Sequence, residues 1–385
     1  MTEEKELTVR DPSVGADGRQ PKQLKTDYSI SENDAEFNRF GEVGTEYFEQ
    51  LATRRMDPAY LETVSMTQLY DTVFETKEAP VDGLLCRGTY LFAGAPKVGK
   101  SFLMLQLAYH VSRGIPLWGY PVKQSDVLYF SLEDGYDRLQ RRLYRMFGEE
   151  ESDKLHFADE CKTVAGGLEN QIRSFVRAHP DTGLIIIDTL KRVRESGGAD
   201  YSYSSDYDIV AKLKDIADSC HVAMVIVHHT RKQRAEDIYE MISGTNGLLG
   251  AADGAFLLSK EKRTANEAAL HIVGRDQADQ RIQLERNNQT LAWEFVEAET
   301  ELWKEPPDPL LETIAGALPA DGSRWVGTAS ELCVQLGLDL KPNALSLKLN
   351  VGAGRLKKEY GVCCRRGRSH EGRRILLWKE AESKA

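Results

Sequence analysis

The feature that most constrains this chain is a glycine-rich loop that begins at Gly94 and ends at Ser101. The loop reads Gly-Ala-Pro-Lys-Val-Gly-Lys-Ser and matches the pattern G-x-x-x-x-G-K-S/T in full. The apolar run over residues 89–93 predicts a strand before the loop, and residues 101–113 have the periodicity of a helix. In that context, the backbone N–H groups of the loop and the start of the helix can surround phosphate groups. We therefore expect an α/β fold that binds a nucleotide.

The residue types in this loop suit a nucleoside triphosphate. Lys100 is expected to reach the β- and γ-phosphates, and the Ser101 hydroxyl is expected to ligate Mg²⁺. We therefore predict ATP and Mg²⁺ as the ligands and Lys100 as a catalytic residue. The predicted nucleotide-binding residues are Gly94, Ala95, Pro96, Lys97, Val98, Gly99, Lys100, Ser101 and Phe102.

Two acidic residues further along the chain end apolar runs. Asp188 follows residues 184–187, and we predict that it holds Mg²⁺ through the water shell of the ion; capping of the next helix is its alternative role. Glu133 ends the strand predicted over residues 127–132, and we predict that it orients or deprotonates the attacking water. Asp134 is the competing candidate for that role, with capping of the following helix as the alternative.

Two histidines, His228 and His229, follow a further apolar run over residues 222–227. A polar side chain at the carboxyl end of this strand can contact the γ-phosphate and sense hydrolysis. The sequence leaves open which of the two histidines does so, and we include His229 among the predicted catalytic residues.

The region after residue 70 alternates between apolar strand runs and helices, which predicts a parallel sheet covered on both faces. A chain of 385 residues also exceeds the ~250–300 residues that one core usually holds, so more than one domain is expected. The predicted organisation is a disordered polar tail over residues 1–40, a helical segment over 41–69, an ATPase domain over 70–304, a linker over 305–309 and a winged-helix domain over 310–380.

The C-terminal domain is predicted from its charge and its pattern of elements. Residues 341–379 contain eleven lysines or arginines and two glutamates, although the whole chain has a net charge of −10. Three predicted helices are followed by an arginine-rich hairpin over residues 362–378, as in a winged helix. The third helix is expected to enter a major groove, and the arginines over residues 365–374 are expected to contact phosphates. Docking to a protein is the alternative role of such a domain.

Other sequence features argue against a membrane or metal-scaffold protein. The six cysteines form no C-x-x-C pair and fit no zinc pattern. The N-terminus lacks the apolar core of a signal peptide, and the longest apolar runs are far shorter than the ~20 residues that span a bilayer. We predict a cytoplasmic protein with no membrane partner.

Several motifs in order resemble the RecA-like ATPases of the RepA type, which are ring-forming replicative helicases of plasmids, phages and mobile elements. The resemblance spans roughly residues 66–297 and is more specific for the fold and ATPase activity than for unwinding. It implies a hexamer with ATP bound between subunits and an arginine finger supplied by the neighbouring subunit. The motifs lie at residues 94–101, 131–134, 184–190, 228–232 and 242–254.

The same resemblance indicates where the finger and the DNA contacts would lie. Arg275 follows the strand predicted over residues 268–273 and is the finger candidate, with a surface salt bridge as the alternative. Residues 191–208 and 231–246 correspond to loops that line the channel of such rings. Their basic, glycine and aromatic residues suit single-stranded DNA, although acidic residues dilute the charge and an ordinary solvated loop is the alternative.

These features favour an ATP-driven DNA motor, a replicative helicase of a mobile element that acts as a ring. A recombination ATPase of the RecA or RadA type is a second hypothesis. A third is a DNA-binding regulator or initiator that nucleotide only switches. All three share the same phosphate chemistry, so the sequence does not separate them.

Overall fold

The chain forms two compact units in a computed structural model. One unit is Lys77–Lys304, and the other combines Met1–Thr76 with Glu305–Ala385. The predicted tail, most of the predicted helical segment, the loop over 231–246 and part of the loop over 191–208 lie outside the described residues. The residues that the structure describes are 59, 61, 63–73, 78–194, 203–229, 247–262, 264–275, 277–299, 306–369 and 372–379.

The larger unit is built on one nine-stranded sheet. Its strands are β1 (Gly88–Gly94), β2 (Asp126–Ser131), β3 (Leu155–Ala158), β4 (Thr182–Asp188), β5 (Ala223–His229), β6 (Gly254–Ser259), β7 (Glu267–Gly274), β8 (Gln277–Arg286) and β9 (Trp293–Ala298). Their order across the sheet is β3-β2-β4-β5-β1-β6-β7-β8-β9. The pairs from β3 to β6 are parallel, which agrees with the predicted α/β fold.

The last three strands depart from the predicted parallel sheet. β7, β8 and β9 pair antiparallel with their neighbours. The prediction of a parallel sheet is therefore wrong for this edge. The physical reason is the length of the connections, because β7 ends at Gly274 and β8 begins at Gln277. Two residues can form a hairpin, whereas a parallel crossover needs about a dozen.

Helices cover both faces of the parallel part. Alternate side chains of β1 belong to two separate apolar clusters. Tyr90 and Leu105 belong to one cluster, and Leu91 and Leu213 belong to the other. β1 is buried along its whole length, as expected for a central parallel strand.

Helix α1 (Met66–Asp71) belongs to the smaller unit. Among the described residues, the α-helices of the larger unit are α2 (Lys100–Arg113), α3 (Tyr136–Phe147), α4 (Glu169–Ala178), α5 (Leu190–Val193), α6 (Tyr203–Cys220) and α7 (Gly247–Ala251).

The smaller unit has its own core and a three-stranded antiparallel sheet in the order β10-β12-β11. Its elements follow the order helix, strand, helix, helix and hairpin. The core includes the fully buried Ile314, Leu332 and Leu349. The elements are α8 (Pro309–Ala317), β10 (Arg324–Gly327), α9 (Ala329–Leu336), α10 (Pro342–Tyr360), β11 (Val362–Ser369) and β12 (Gly372–Lys379).

Helix α1 packs against α10 and the hairpin of the same unit. The Asn350 side chain donates to the Tyr70 carbonyl oxygen at 2.6 Å. The two terminal guanidinium nitrogens of Arg373 each lie 2.7 Å from one Asp71 carboxylate oxygen. A short helix without buried residues of its own is thereby attached to the C-terminal unit. Within the described residues, no helix combines the length and apolar character needed to cross a bilayer.

Candidate active site

Four strand ends meet at the edge of the sheet that carries the glycine-rich loop. β1 leads into the loop, and its neighbour β5 ends at His229. β4 lies beyond β5 and ends at Asp188, while Glu133 comes just after β2. Because these strands are parallel, their carboxyl ends share one edge, where ligands of open α/β sheets bind. The structure therefore brings together the loop, Asp188, Glu133 and His229.

The Lys100 amine is buried at the centre of this cluster. It donates to the carbonyl oxygens of Gly94 at 2.7 Å and Ala95 at 3.1 Å. It also lies 3.0 Å from Nδ1 of His229. Burial lowers the pKa of the Lys100 amine to about 8, and the nearby carboxylates of Asp188 and Glu133 oppose that shift. The positive charge is thus poorly solvated and available to an anionic partner.

The contact between lysine and histidine fixes the tautomer of His229. A protonated amine can only donate, so Nδ1 of His229 accepts and its ring proton sits on Nε2. Nε2 lies 3.8 Å from Oε1 of Glu133. His229 therefore joins Lys100 to Glu133 across the edge of the sheet. The structure thus places His229 beside both Lys100 and Glu133.

Asp188 lies among hydroxyl groups at the end of β4. Tyr129 donates its hydroxyl proton to Oδ2 of Asp188 at 2.9 Å, and the Ser101 side chain is a second hydrogen-bond partner. Burial raises the pKa of the Asp188 carboxyl, and these two hydrogen bonds oppose that shift. The N-cap position of the following helix is Thr189, so helix capping does not explain Asp188.

This arrangement of oxygens fits a hard divalent cation. A hydroxyl and a carboxylate beside a phosphate loop are the donors that Mg²⁺ uses in nucleotide sites. Ser101 and Asp188 would hold Mg²⁺, which would supply positive charge to the phosphates.

Glu133 and Asp134 have different environments although they are adjacent. Oε1 of Glu133 accepts a hydrogen bond from the Thr189 hydroxyl at 3.0 Å, and 45% of its side chain is exposed. Asp134 is instead held by Arg138 at 2.7 Å and Arg142 at 2.8 Å. The N-cap of the next helix is Gly135, so capping is not the role of Asp134. Only Glu133 faces both the lysine and solvent.

The glycines of the loop are required by close packing. A Cβ atom on Gly94 would lie 2.7 Å from the Leu258 carbonyl oxygen. Gly99 has φ of +110°, and a Cβ there would lie 2.8 Å from the Trp293 ring. The ring of Phe102, at the start of α2, lies 4.7 Å from the Arg142 guanidinium and 4.4 Å from that of Arg286.

Arg275 does not share the site with Lys100. Arg275 directly follows Gly274, the last residue of β7. Gly274 pairs with Gly254, the first residue of β6, so Arg275 lies at the amino end of the parallel strands. Its guanidinium donates to the Gly250 carbonyl oxygen at 3.0 Å and lies 3.7 Å from the Asp253 carboxylate. The loop of the same chain lies at the opposite edge of the sheet.

Three residues of the site were not predicted from the sequence. They are Tyr129, Thr189 and Trp293. Tyr129 is two residues before Ser131 on β2, and Thr189 directly follows Asp188, so adjacency to the acidic residues was the available signal. Trp293 lies far along the chain, and only the fold brings it to the loop.

The Trp293 side chain packs against the glycine-rich loop at Gly99. Trp293 is fully buried, its backbone N–H donates to Oε1 of Gln106 at 2.8 Å, and its indole N–H donates to the Gly99 carbonyl oxygen at 3.3 Å.

We predict that Trp293→Ala destabilises the fold by about 3–5 kcal/mol, because it opens a large cavity beside the loop. Urea unfolding measures this loss. Trp118→Phe, which removes one hydrogen bond to the Trp293 carbonyl oxygen, is the control and should cost about 1 kcal/mol. Equal losses in both variants would contradict the supporting role.

The lowered pKa of Lys100 predicts proton uptake on ATP binding. Phosphate charge favours the protonated amine, so binding raises its pKa from about 8. At pH 7 the amine is already protonated, whereas at pH 9 about 0.9 proton must be taken up. Calorimetry in buffers of different ionisation enthalpy measures this number at both pH values. Lys100→Arg stays protonated at both pH values, so its proton uptake should not increase between pH 7 and pH 9. Equal proton uptake by wild type at the two pH values would contradict the prediction.

Comparisons with known proteins match the region that contains the glycine-rich loop. Residues 55–235, just under half of the chain, match a family model described as an AAA domain. The DNA repair protein RadA of Streptococcus pneumoniae is 24% identical over 183 residues, which is 47% of this chain and 39% of that protein. The chain thus spans about two fifths of the length of this curated relative.

Two solved structures have a looser similarity. A DnaB-like replicative helicase, described with its interactions with primase, has a TM-score of 0.48 and 16% identity, over 69% of this chain and 74% of that one. A KaiC-like protein from Pyrococcus horikoshii has a TM-score of 0.41 and 14% identity, over 58% of this chain and 99% of that one.

Three features of this region agree with one another. They are the phosphate loop between β1 and α2, the strand order that inserts β5 between the loop strand and the Asp188 strand, and the family match over residues 55–235. Residues 55–235 are thus similar to an AAA domain, and they carry a phosphate loop on a mostly parallel α/β sheet.

Proposed function

We propose that this protein hydrolyses ATP to move along single-stranded DNA, as a replicative helicase of the RepA type acting in a ring. The observation that carries the ATPase part is the contact network of Lys100, His229 and Glu133 beside the pair of Ser101 and Asp188. Phosphoryl transfer needs positioning and charge stabilisation rather than covalent catalysis, and these residues supply both.

Each residue has a distinct task in the proposed reaction. Lys100 exchanges its contacts with the Gly94 and Ala95 carbonyl oxygens for the β- and γ-phosphates. Glu133, half-exposed and held by Thr189, orients the attacking water and accepts its proton. His229 contacts both residues, so loss of the γ-phosphate alters its hydrogen bonds and signals hydrolysis to β5.

The position of Arg275 supports a site shared between subunits. It lies at the opposite edge of the sheet from the loop of its own chain, so it can act as a finger only on the nucleotide of a neighbour. An arginine supplied in trans stabilises charge on the transferred phosphoryl group. In the free subunit, Asp253 and the Gly250 carbonyl oxygen would hold Arg275 until a neighbour docks.

We further propose that the smaller unit is a winged-helix domain that binds duplex DNA. Its order of helix, strand, helix, helix and hairpin, together with the basic charge over residues 341–379, supports this function. Helix α10 would then enter the major groove.

The hairpin arginines are not equivalent, because Arg366 donates to the Asn350 side chain and the Ser346 carbonyl oxygen, both at 2.8 Å. We assign Arg366 to positioning of the hairpin rather than to phosphate contact.

The pair of Asp71 and Arg373 predicts that α1 limits DNA binding. We expect Asp71→Asn to strengthen duplex binding by roughly 3- to 10-fold at low salt, since it releases one arginine for a phosphate. Fluorescence anisotropy over a salt series measures the affinity and should give a steeper salt dependence than wild type. Glu312→Gln, an exposed substitution on α8 with the same change in charge, controls for net charge. An equal gain in both variants would contradict a specific role of α1.

The experiment that tests the motor is ATP turnover with and without single-stranded DNA, with the particle mass followed by light scattering in the same samples. Strong stimulation in a hexamer-sized particle, followed by unwinding of a forked duplex, supports the proposal. Turnover that single strands do not change, in a monomer or dimer, would overturn it and favour a nucleotide-switched DNA-binding regulator.

A recombination ATPase is the second candidate, since the curated relative is a DNA repair protein named RadA. Electron microscopy of the protein with ATP and single-stranded DNA separates the two functions. Closed rings support the helicase, whereas helical filaments that cover the strand support recombination.

A further inference from the structure

A cluster of two histidines and an aspartate lies at the amino end of the sheet, away from the nucleotide loop. Its members are Asp126 at the start of β2, His156 on β3 and His179 in the turn after α4. β2 continues for five residues from Asp126 to Ser131, which places the cluster about 17 Å from the loop edge. The proposed ATPase chemistry does not use these residues.

The spacing of their donor atoms is close to that of a metal site. Nε2 of His156 lies 3.3 Å from Oδ1 of Asp126, and Nδ1 of His179 lies 4.0 Å from the same oxygen. One donor atom from each residue lies within 4.8 Å of the others. Two ligands about 2.05 Å from a tetrahedral ion are about 3.3 Å apart, so the pair of His156 and Asp126 already fits. His179 needs to approach Asp126 by less than 1 Å.

The fold holds all three side chains in place. Leu128 pairs with His156 in the parallel register, which puts Asp126 and His156 on the same face of the sheet. Phe175 of α4 contacts both imidazoles, with ring centroids 4.4 Å from His179 and 5.2 Å from His156.

Two hydrogen bonds hold the turn after α4 against the sheet. Thr182 donates its hydroxyl to the His179 carbonyl oxygen at 2.6 Å, and the Asp126 N–H donates to the Asp181 carbonyl oxygen at 3.2 Å. Orientation of this kind lowers the entropy lost when a ligand set closes on an ion.

We propose that Asp126, His156 and His179 form a binding site for a borderline divalent transition metal such as Zn²⁺. Two imidazoles and one carboxylate suit Zn²⁺ and its neighbours in the first row rather than Mg²⁺ or Ca²⁺. Three protein ligands leave a fourth position for water or a further ligand. The side chains are 14–34% exposed, so an ion can reach them from solvent. The ion would join β2, β3 and the turn after α4.

The test is titration of the nucleotide-free full-length protein with Zn²⁺ by calorimetry. We expect one equivalent to bind, and His156→Ala, His179→Ala and Asp126→Asn each to weaken binding by ~100-fold or more, since even outer-shell substitutions cost 10- to 100-fold. His271→Ala, which removes an imidazole from β7 of the same unit, is the matched control and should bind as wild type does.

A second readout identifies the ligands. Co²⁺ bound to nitrogen and oxygen gives visible d–d absorption without the strong thiolate charge-transfer band that cysteine ligands produce. Absence of stoichiometric binding, affinities unchanged by all three substitutions, or a thiolate band would each overturn the proposal. Circular dichroism of the variants, with His179→Ala as the most exposed change, confirms that a loss of binding is not a loss of folding.

Discussion

Glu133→Gln is expected to bind ATP as tightly as wild type and to lose turnover by about 10²- to 10⁴-fold, the usual contribution of a positioned general base. The substitution keeps the size of the side chain and an oxygen that can accept from the Thr189 hydroxyl. It removes the negative charge and the proton acceptor. Nucleotide affinity by fluorescence titration and turnover by phosphate release measure the two effects separately.

The matched control is Asp137→Asn on α3. Asp137 lies close in sequence, its side chain is 79% exposed and its partner is the surface Arg141. The same change from carboxylate to amide should leave turnover within twofold, because exposed ion pairs contribute little. If Glu133→Gln hydrolyses ATP normally while Asp134→Asn does not, the base is assigned to the wrong carboxylate.

The local part of the site was predictable because it depends on short patterns. The loop, its preceding strand and its following helix are adjacent in the chain, and the glycine, lysine and serine types follow from phosphate chemistry. Asp188 and Glu133 were found by the same logic, since each ends an apolar run. The structure brings these residues to one edge of the sheet, as parallel strands require.

The parts that sequence did not predict depend on distant contacts. The Trp293 indole contacts Gly99 because β9 belongs to the antiparallel edge of the sheet. A short turn between strands, and not an apolar pattern, produces that edge. Asp71 and Arg373 are far apart in sequence, so a count of basic residues assigns Arg373 to DNA although it is already paired. Charge composition gives the number of cations and not their partners.

Lys100→Ala is expected to weaken ATP binding by at least ~100-fold, about 2.7 kcal/mol, and to reduce turnover below detection. The amine is the charged donor at the centre of the loop, and alanine removes both its charge and its hydrogen bonds to the phosphates. Equilibrium binding of a fluorescent ATP analogue and phosphate release measure the two losses. Lys123→Ala, an exposed lysine of the same unit paired with Glu78, controls for the change in charge.

Stability separates a functional loss from a folding defect in this variant. The folded pKa of Lys100, about 8, is below its ordinary value, so the buried charge opposes folding below pH 8 and the penalty falls as pH rises from 8 towards 10.5. Removing the amine should therefore leave the nucleotide-free protein at least as stable as wild type at pH 7, and the difference should shrink at pH 10. A buried cation retained despite that penalty is explained by the anion it binds. If Lys100→Ala instead unfolds readily at pH 7, the amine serves the fold through Gly94, Ala95 and His229, and its loss of ATP binding is indirect.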